Sequence, residues 1–459
     1  MALDWKVVDR WLMGEAFTGS RIREHLAELC DEIGPRWSSS AGERKAVAYI
    51  RDQMESEGLD NPALEEYQLE TWSWESAKAR VVEDNTHIDL LPLNRCPPFV
   101  AEGKIVDVGY GTPRQVEMAK QDLSDAVAVM HLAFEPFTTP VHHAIRLQAL
   151  AQAGAVAAIL IEKKVGRRME YHSASDWRDP GLAEHPLPTV VTSQEHGTLL
   201  RQLANRQKSI KLSVHSKFYN APSWNTTSEI TGELWPNEHL VLGGHHDTVL
   251  GVSGGNDNAS GTIAVMEAAR ALSRLRSETA QGPGRTIRFV TYSAEEQKLQ
   301  GSSAYVAVHY GPENPPRLAI NLDELSTGPI KGVVLGFPHL RELVQRQLDS
   351  MNDGLACHVM AQIDPSSDHF PFLRAGLDAA FLWRWRFHGR HADSEFHHEA
   401  GDTSDKLNVR ELKEYAGQLA RLLLRLSHVP PLEWPDNSVT PAQVAERLEA
   451  ERGEIVRVF

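Results

Sequence analysis

Cysteine is scarce in this chain of 459 residues, which has three cysteines, Cys30, Cys96 and Cys357, at distant positions. Three separated thiols give neither a disulfide framework nor a Cys-x-x-Cys zinc site. Long apolar segments are also missing, since none approaches the roughly 18 residues that a membrane helix needs. The sequence therefore predicts no membrane span, and any metal site would have to be built from histidine and carboxylate.

Positive charge is in deficit, with 47 Lys and Arg against 62 Asp and Glu and a formal net charge of −15. A negative surface repels phosphate backbones, and no basic run offsets it, so we expect no nucleic-acid partner. The N-terminal segment carries Asp4, Lys6, Asp9 and Arg10 where a signal peptide would be apolar. We therefore expect a cytoplasmic protein, or a secreted one if a leader precedes this sequence.

The region 86–218 reads as a module with its own α/β pattern. Pro92, Pro97 and Pro98 mark a linker at its start. Apolar runs predict strands and periodic segments predict helices, the strands at 126–132, 155–161, 187–192 and 210–214 and the helices at 142–152 and 199–203. We expect 86–218 to be an inserted domain that contributes no metal ligand and acts as a lid, with 1–85 and 219–459 forming a discontinuous main domain.

The main domain also alternates strands and helices. A helix is predicted over 43–57, a sheet edge around Trp72, and further strands and helices follow residue 225. Those strands lie at 239–242, 286–292, 318–322 and 379–383, and the helices at 260–275 and 409–426. Alternation at this spacing predicts an α/β fold with a mostly parallel, doubly wound sheet covered on both faces.

Histidine and carboxylate side chains collect where the predicted strands end. Open α/β sheets place their sites beyond these carboxyl ends. Each cluster is a weak signal alone, but burying several carboxylates together is costly unless cations neutralise them. Carboxylate and imidazole without thiolate suit Zn²⁺, Mn²⁺ or Co²⁺ in a hydrolytic site. The clusters are His245-His246-Asp247, Asp257, Glu295-Glu296, Asp323-Glu324, Asp368-His369 and His397-His398.

Six segments resemble the M28 family of co-catalytic dizinc exopeptidases, and they occur in the family's order: GGHHDTV, GGNDNASGT, TYSAEEQKLQGS, INLDE, SSDHFPF and FHHEAGDTSDKLN. GPRWSSSAGERKAVAYIRDQM and WSWE are similar to the N-terminal region of the plasma glutamate carboxypeptidase branch. The 86–218 region resembles a protease-associated domain. The resemblance implies a zinc-exopeptidase type of sheet with a smaller α/β insert.

The resemblance also implies roles for individual residues. Asp257 would bridge two divalent metal ions, zinc first and cobalt or manganese as alternatives. Glu295 would be the general base, and Asp247 would fix the imidazole of the first metal ligand. The family pattern selects His245 over His246 and His398 over His397. The remaining ligands would be His245 and Asp323 on one metal and Glu296 and His398 on the other.

Three further assignments stay open. Asp402 is expected to orient an imidazole near His398. Asp368 and His369 match a segment lining the family's site, where His369 would bind substrate or steady an oxyanion, or be an ordinary hydrogen-bonded core histidine. Arg384 or Arg386 would clamp a substrate carboxylate, or lie on an exposed sheet face.

The expected activity is hydrolysis of a terminal peptide bond in a short peptide or dipeptide. Two other classes compete with it. One is a non-catalytic relative that keeps the fold for binding, and the other is a glutaminyl-cyclase-like acyltransferase with one zinc. The complete ligand set and base favour the peptidase. Aminopeptidase or carboxypeptidase action, side-chain preference and homodimer formation are left open by the sequence.

Overall fold

The computed structural model describes residues 3–174, 184–325, 330–352, 357–384 and 396–451, without the side chains of 330, 331, 383 and 384. The chain divides into two compact units. The first comprises Met1–Leu69 and Ala221–Glu446, and the second contains Glu70–Asn220.

The described helices, numbered in chain order, are α1 (Trp5–Thr18), α2 (Ile22–Leu26), α3 (Ala41–Ser56), α4 (Pro113–Leu123), α5 (His143–Gln152), α6 (Gln194–Asn205), α7 (Ser260–Thr279), α8 (Gln300–His309), α9 (Arg341–Ser350), α10 (Phe370–Arg374), α11 (Val409–His428) and α12 (Pro441–Ala450). None of the helices in the described ranges is long and apolar enough to span a bilayer.

The strands are β1 (Asp60–Val81), β2 (His87–Ile88), β3 (Leu91–Pro92), β4 (Phe99–Asp107), β5 (Val127–His131), β6 (Ala157–Ile161), β7 (Thr189–Thr192), β8 (Ser209–Ile230), β9 (Trp235–His245), β10 (Arg285–Tyr292), β11 (Leu318–Asn321), β12 (Ile330–Leu335), β13 (His358–Ala361) and β14 (Ala379–Arg384).

The first unit contains a mixed sheet in the order β13-β12-β14-β11-β9-β10-β8. The pairs β12–β13, β11–β14, β9–β11 and β9–β10 are parallel, whereas β12–β14 and β8–β10 are antiparallel. Leu240, Val241 and Leu242 of the central strand β9 are fully buried, as expected for a parallel strand covered on both faces. The prediction of a mostly parallel α/β sheet is confirmed.

Two glycines let three chain segments approach at one edge of this sheet. A Cβ atom at Gly244, near the end of β9, would lie 2.6 Å from the carbonyl oxygen of Leu322. A Cβ atom at Gly261, in the first turn of α7, would lie 2.3 Å from the same oxygen. Because neither contact is sterically tolerable, only glycine allows the end of β9, the start of α7 and the end of β11 to meet here.

The second unit has a parallel core of strands β4, β5, β6 and β7 in that order. The antiparallel strand β8 flanks β4, and β3 flanks β7. Its strand residues Val127–Met130 and Ala157–Leu160 are fully buried. The unit therefore has its own sheet and its own apolar core.

The local predictions are largely confirmed, although some elements extend well beyond the predicted residues. The strand predicted at 210–214 is part of β8, which runs from Ser209 to Ile230. Residues 217–220 within β8 are exposed. Hydrophobic alternation, which marks a half-buried strand, is therefore missing there although the backbone remains extended.

Candidate metal centre

The central strands of the first unit deliver acidic and imidazole side chains to a common edge. His245 is the last residue of β9, and Glu295 and Glu296 follow β10 after two residues. Asp323 follows β11, and Asp257 lies in the turn at 255–259 that leads into α7, where its own backbone is not helical. Since β9 pairs in parallel with both β10 and β11, these carboxyl ends lie side by side.

Asp257 lies between two imidazole rings. Its Oδ1 atom is 3.2 Å from Nε2 of His245, and its Oδ2 atom is 3.1 Å from Nε2 of His398. Beyond each ring is another carboxylate. His245 Nε2 is 3.4 Å from Oδ1 of Asp323, and His398 Nε2 is 3.1 Å from Oε2 of Glu296. The arrangement is a pair of imidazole–carboxylate sites joined by one carboxylate.

The potential ligand atoms group in the same way. His245, Glu295 and Asp323 bring one such atom each within 4.8 Å of one another. Within the same 4.8 Å limit, Asp257 also forms one triad with Glu296 and His398 and another with Glu324 and His397. The described residues thus offer nitrogen and carboxylate oxygen donors at two adjacent positions, which is the donor set that zinc takes in catalytic sites.

Burial and mutual repulsion shape the electrostatics of this cluster. Burial raises the pKa of the Glu295 carboxyl group well above its ordinary value, and the charges of Glu296 and Asp323 act in the same direction. Burial by itself would lower the pKa of His245, but the charges of Asp323 and Glu295 raise it well above the usual range. The cluster thus concentrates negative charge in a buried environment. A divalent cation neutralises such charge.

Two polar atoms in the cluster fit a cation better than a proton. His245 Nε2 and Asp323 Oδ1 are buried and make no hydrogen bond within the described parts of the chain. Buried polar atoms in native proteins normally have a partner. Their position in one triad with Glu295 makes a metal ion a chemically suitable partner.

Left-handed backbone conformations recur in the loops that carry the cluster. Ala294 has φ 52°, Glu324 has φ 48° and His398 has φ 55°. Each is a site residue or adjoins one. Non-glycine residues in this region cost on the order of 1–3 kcal/mol and persist where their surroundings hold them. Packing and hydrogen bonding around these loops must therefore supply the missing stability.

Asp247 lies on the Nδ1 side of the His245 ring. His245 Nδ1 is 3.2 Å from the Asp247 carbonyl oxygen and 3.5 Å from its Oδ1 atom. The same Oδ1 atom accepts a hydrogen bond of 3.2 Å from the backbone N–H of Glu295. Asp247 thus contacts both the imidazole and the turn that carries Glu295.

The expectation for Asp402 needs correction. It was predicted to orient an imidazole near His398, but its carboxylate accepts hydrogen bonds from two successive backbone N–H groups. The donors are Asn256, at 2.7 Å from Oδ1, and Asp257, at 2.9 Å from Oδ2. Burial raises the pKa of Asp402 to about 7. The position of Asp402 four residues after His398 suggested the wrong partner, because the turn at 255–259 folds back onto it.

Two pairs of adjacent histidines occur at the cluster, and the members of each pair differ in their contacts. His246 is fully buried, with Nδ1 3.0 Å from Oγ1 of Thr291, and it belongs to none of the triads found in the described residues. His397 is stacked on His398 with ring centroids 3.7 Å apart. Its Nδ1 atom is 3.0 Å from Oε1 of Glu324 and 3.2 Å from Oδ2 of Asp257. The structure therefore places His245 and His398 with the Asp257 carboxylate, and it also places His397 against that carboxylate.

Asp368 and His369 precede helix α10 and are both buried. Burial raises the pKa of Asp368 to about 8, and the opposing charge of His245 acts on it. The His369 ring packs against Phe381 with centroids 4.7 Å apart. Asp368 is thus electrostatically coupled to the cluster. The predicted carboxylate clamp concerns Arg384, whose side chain is outside the described set, and Arg386, which lies outside the described residues.

Two supporting residues were not singled out by the sequence analysis. Asn258 Oδ1 accepts hydrogen bonds from the N–H groups of Gly261 and Glu324, at 2.9 and 3.1 Å. Its Nδ2 atom donates to the Leu322 carbonyl at 2.9 Å. Asn258 therefore ties the start of α7 to the loop carrying Asp323. The available sequence signal is an Asn three residues before a helical N–H group, as at an N-cap.

Arg36 is the second such residue, and it is fully buried. Its guanidinium group donates to five backbone carbonyl groups, those of Leu29, Gly34, His246, Ser253 and Gly254. Three of these carbonyls belong to the chain between β9 and α7. Arg36 thus fixes the loop that leads from His245 to Asp257.

A separate group of acidic and imidazole side chains lies within the second unit. His172 Nε2 is 2.9 Å from Oε2 of Glu162, and Lys164 Nζ is 2.8 Å from Oε2 of Glu170. The lysine ammonium group already supplies a positive charge here. Glu162, Glu170 and His172 also bring one potential ligand atom each within 4.8 Å of one another, so this group combines ion pairs with a second cluster of donors.

The fold and this cluster define a metallopeptidase. The model of peptidase family M28 matches residues 225–423, which include Asp247 and all the triad residues. This part of the chain is an M28 peptidase domain, which confirms the resemblance to the M28 family.

Sequence similarity to other proteins extends beyond that domain. The chain is 24% identical over 399 residues to carboxypeptidase Q of Bos taurus, an alignment covering 86% of this chain and 82% of the relative. Over a shorter stretch of 127 residues, 28% of this chain and 24% of the relative, it is 38% identical to leucine aminopeptidase 2 of Arthroderma otae.

Solved structures show the same fold. A peptidase M28 precursor from Shewanella amazonensis aligns with a TM-score of 0.76 at 21% identity, covering 94% of this chain and 98% of that one. The zinc aminopeptidase BSAP from Bacillus subtilis aligns with a TM-score of 0.70 at 20% identity, covering 91% and 97%. These likenesses show that the chain shares the α/β fold of these structures.

Proposed function

We propose that this protein is a dizinc exopeptidase that hydrolyses a terminal peptide bond of short peptides or dipeptides. The observation that carries the proposal is the position of Asp257, whose two carboxylate oxygens each face a different imidazole. A carboxylate with one oxygen toward each of two sites is suited to bridge two cations. The relatives named as carboxypeptidase and zinc aminopeptidase support the same reaction class.

Five of the six members of the two triads that share this edge are the proposed ligands, and the sixth, Glu295, has a separate role. His245 and Asp323 would hold one metal ion, Glu296 and His398 the other, and Asp257 would contact both. Zinc suits these donors best, with cobalt and manganese as alternatives. When bound by these residues, two such cations would supply polarisation of a carbonyl group and activation of a water molecule at neutral pH.

Glu295 is the proposed general base. Its carboxylate would accept a proton from the attacking water at one oxygen and release that proton to the departing amine. The hydrogen bond from its backbone N–H to Asp247 fixes the turn from which it projects. Glu295 is only 5% exposed, so bulk water does not compete for the proton.

Asp368 and His369 are proposed to contact the substrate. Both side chains are buried immediately before α10, and their segment SSDHFPF resembles the one that lines the site in the M28 family. His369 would bind the substrate or steady the oxyanion formed at the carbonyl carbon. Both roles are compatible with the set of metal ligands proposed above.

A metal count combined with a dipeptide assay tests the proposal. We expect about two zinc ions per parent chain and hydrolysis of some members of a dipeptide and aminoacyl-amide panel. His398→Ala should lose about one ion and most activity, whereas the adjacent His397→Ala should retain both. One ion per parent chain with acyl transfer would favour the cyclase-like class. Metal-free protein that binds peptides without hydrolysis would favour a binding protein.

We also propose that the region 86–218 is a protease-associated-like module that governs which peptides are hydrolysed. All proposed ligands lie in the first unit, while the second has its own sheet and core. Glu70–Asn220 is the main segment of the second unit. Excising it and joining the ends with a short Gly-Ser linker should leave the metal content unchanged. The excision should alter KM or the permitted peptide length, and both are measured with peptides of increasing size. Loss of metal binding in a truncated protein with native-like circular dichroism would contradict this division.

A further inference from the structure

A buried hydroxyl group connects two loops of the candidate metal centre. Ser38 belongs to the segment GPRWSSSAGER, which the proposed chemistry leaves without a role. Its side chain is fully buried. Ser38 Oγ donates to Oδ2 of Asp247 at 3.0 Å and accepts from the backbone N–H of Ala294 at 2.8 Å.

The two groups that Ser38 joins come from different strands. Asp247 follows β9 and contacts the His245 ring, and Ala294 follows β10 and directly precedes Glu295. Asp247 also accepts the N–H group of Glu295 through its other carboxylate oxygen. One hydroxyl thus completes a closed set of hydrogen bonds between Asp247 and the turn carrying the proposed base, and the Asp247 carboxylate lies 3.5 Å from the His245 ring.

That turn needs such support. Ala294 adopts a left-handed backbone conformation with φ 52°, which alanine rarely occupies without external restraint. The Ala294 N–H group is held by Ser38 and the Glu295 N–H group by Asp247. Two successive N–H groups are therefore fixed, which sets the direction in which Glu295 leaves the backbone.

Ser38 also contacts a network of buried polar side chains. Ser293 Oγ lies 3.0 Å from Ser38 Oγ. The hydroxyl groups of Ser293 and Ser223 both bond Oε1 of Glu43, and Glu43 is fully buried at the start of α3. Ser38 is consequently a fixed member of a network, with little freedom to rotate toward other partners.

We propose that Ser38 is a positioning residue for the reaction: it holds Asp247 against His245 and fixes the turn that aims Glu295. The inference rests on the proposed function, in which His245 binds a metal ion and Glu295 is the base. It assigns a role to the N-terminal segment, more than two hundred residues before Asp247 and Ala294 in the chain.

Ser38→Ala and Ser40→Ala form a matched pair of test variants. Ser40 lies two residues after Ser38 and caps α3 through a hydrogen bond from the N–H group of Glu43 at 3.2 Å. Ser38→Ala should reduce kcat or the affinity for one of the two zinc ions about 10–100-fold, the usual effect of removing a group that orients a ligand. KM should change little. Ser40→Ala should lower only the melting temperature.

Ser38→Cys separates hydrogen bonding from packing. The thiol fills the space but is a weak donor and acceptor, so the loss should resemble that of Ser38→Ala. Zinc affinity is measured by competition with a chromophoric chelator, independently of turnover. Parent-like kcat and zinc affinity in Ser38→Cys would overturn the proposal.

A double-mutant cycle with Asp247→Asn tests whether Ser38 acts through Asp247. Because the link requires both ends, Ser38→Ala should cause little further loss in the Asp247→Asn background, giving clear non-additivity. Full additivity would overturn the proposal. A parent protein without two bound zinc ions or hydrolysis would instead refute the proposed function, so the two failures are distinguishable.

Discussion

Glu295→Gln should retain both metal ions and lose most turnover. The amide side chain has nearly the same shape but accepts no proton from water. Loss of general base catalysis alone costs about 10²–10⁴-fold, and the loss will be larger if the carboxylate also positions the attacking water. We expect kcat to fall by at least this factor while the zinc content stays at the parent value. The measurements are steady-state kinetics on a hydrolysed dipeptide and metal analysis of the same sample.

The adjacent Glu296→Gln is the matched control for this variant. Glu296 lies with His398 and Asp257, at 3.1 Å from His398 Nε2. The same chemical change one residue later should therefore lower metal occupancy at one site. If Glu295→Gln were as active as the parent, another residue would have to be the base. If both variants lost metal equally, the division between ligand and base would be wrong.

Removal of the metal ions by a strong chelator should leave a folded but inactive protein. The first unit has a large apolar core built from α1, α3, α7, α11 and the central strands. A core of this size supports folding without metal, unlike that of a small zinc domain. We expect native-like far-ultraviolet circular dichroism, activity near background, and recovery on adding Zn²⁺, Co²⁺ or Mn²⁺.

The melting temperature provides an independent measure of the same metal sites. A ligand that binds only the folded state stabilises it by about 2.7 kcal/mol at a free concentration of 100 times Kd. The chelated protein should therefore melt cooperatively but at a lower temperature, and zinc should restore the difference. Full activity in verified metal-free protein would refute the dizinc interpretation. Unfolding on chelation would show that the metal sites are needed for the fold.

Local sequence signals were sufficient for most helices and strands. The helix predicted over 43–57 is α3, and the runs at 239–242 and 286–292 are the buried parts of β9 and β10. These segments are apolar at the spacing of their own secondary structure, so short-range pattern identifies them. The placement of His245, Glu295 and Asp323 near one edge likewise follows from their positions at the ends of parallel strands.

Other features depend on contacts between residues far apart in the chain. Asp402 bonds the Asn256 and Asp257 amides across about 145 positions, and Ser38 reaches Asp247 across 209. No periodicity or neighbouring residue marks such a hydrogen bond, because it exists only after the sheet and the N-terminal segment have packed. The choice of His245 over His246 is similar, since the sequence offers two adjacent imidazoles and packing turns only one toward Asp257.

The sequence by itself thus determined the chemical groups available and the strand ends that present them. The apolar periodicity that marks a strand and the distance along the chain from its end to a polar residue are both local properties of the sequence. Tertiary structure decided which imidazoles face Asp257, which carboxylate holds backbone N–H groups instead of a ring, and which hydroxyl joins the loops after β9 and β10. These outcomes depend on burial and on hydrogen-bond geometry between distant segments, where an unpaired polar group would be costly and each donor must find an acceptor.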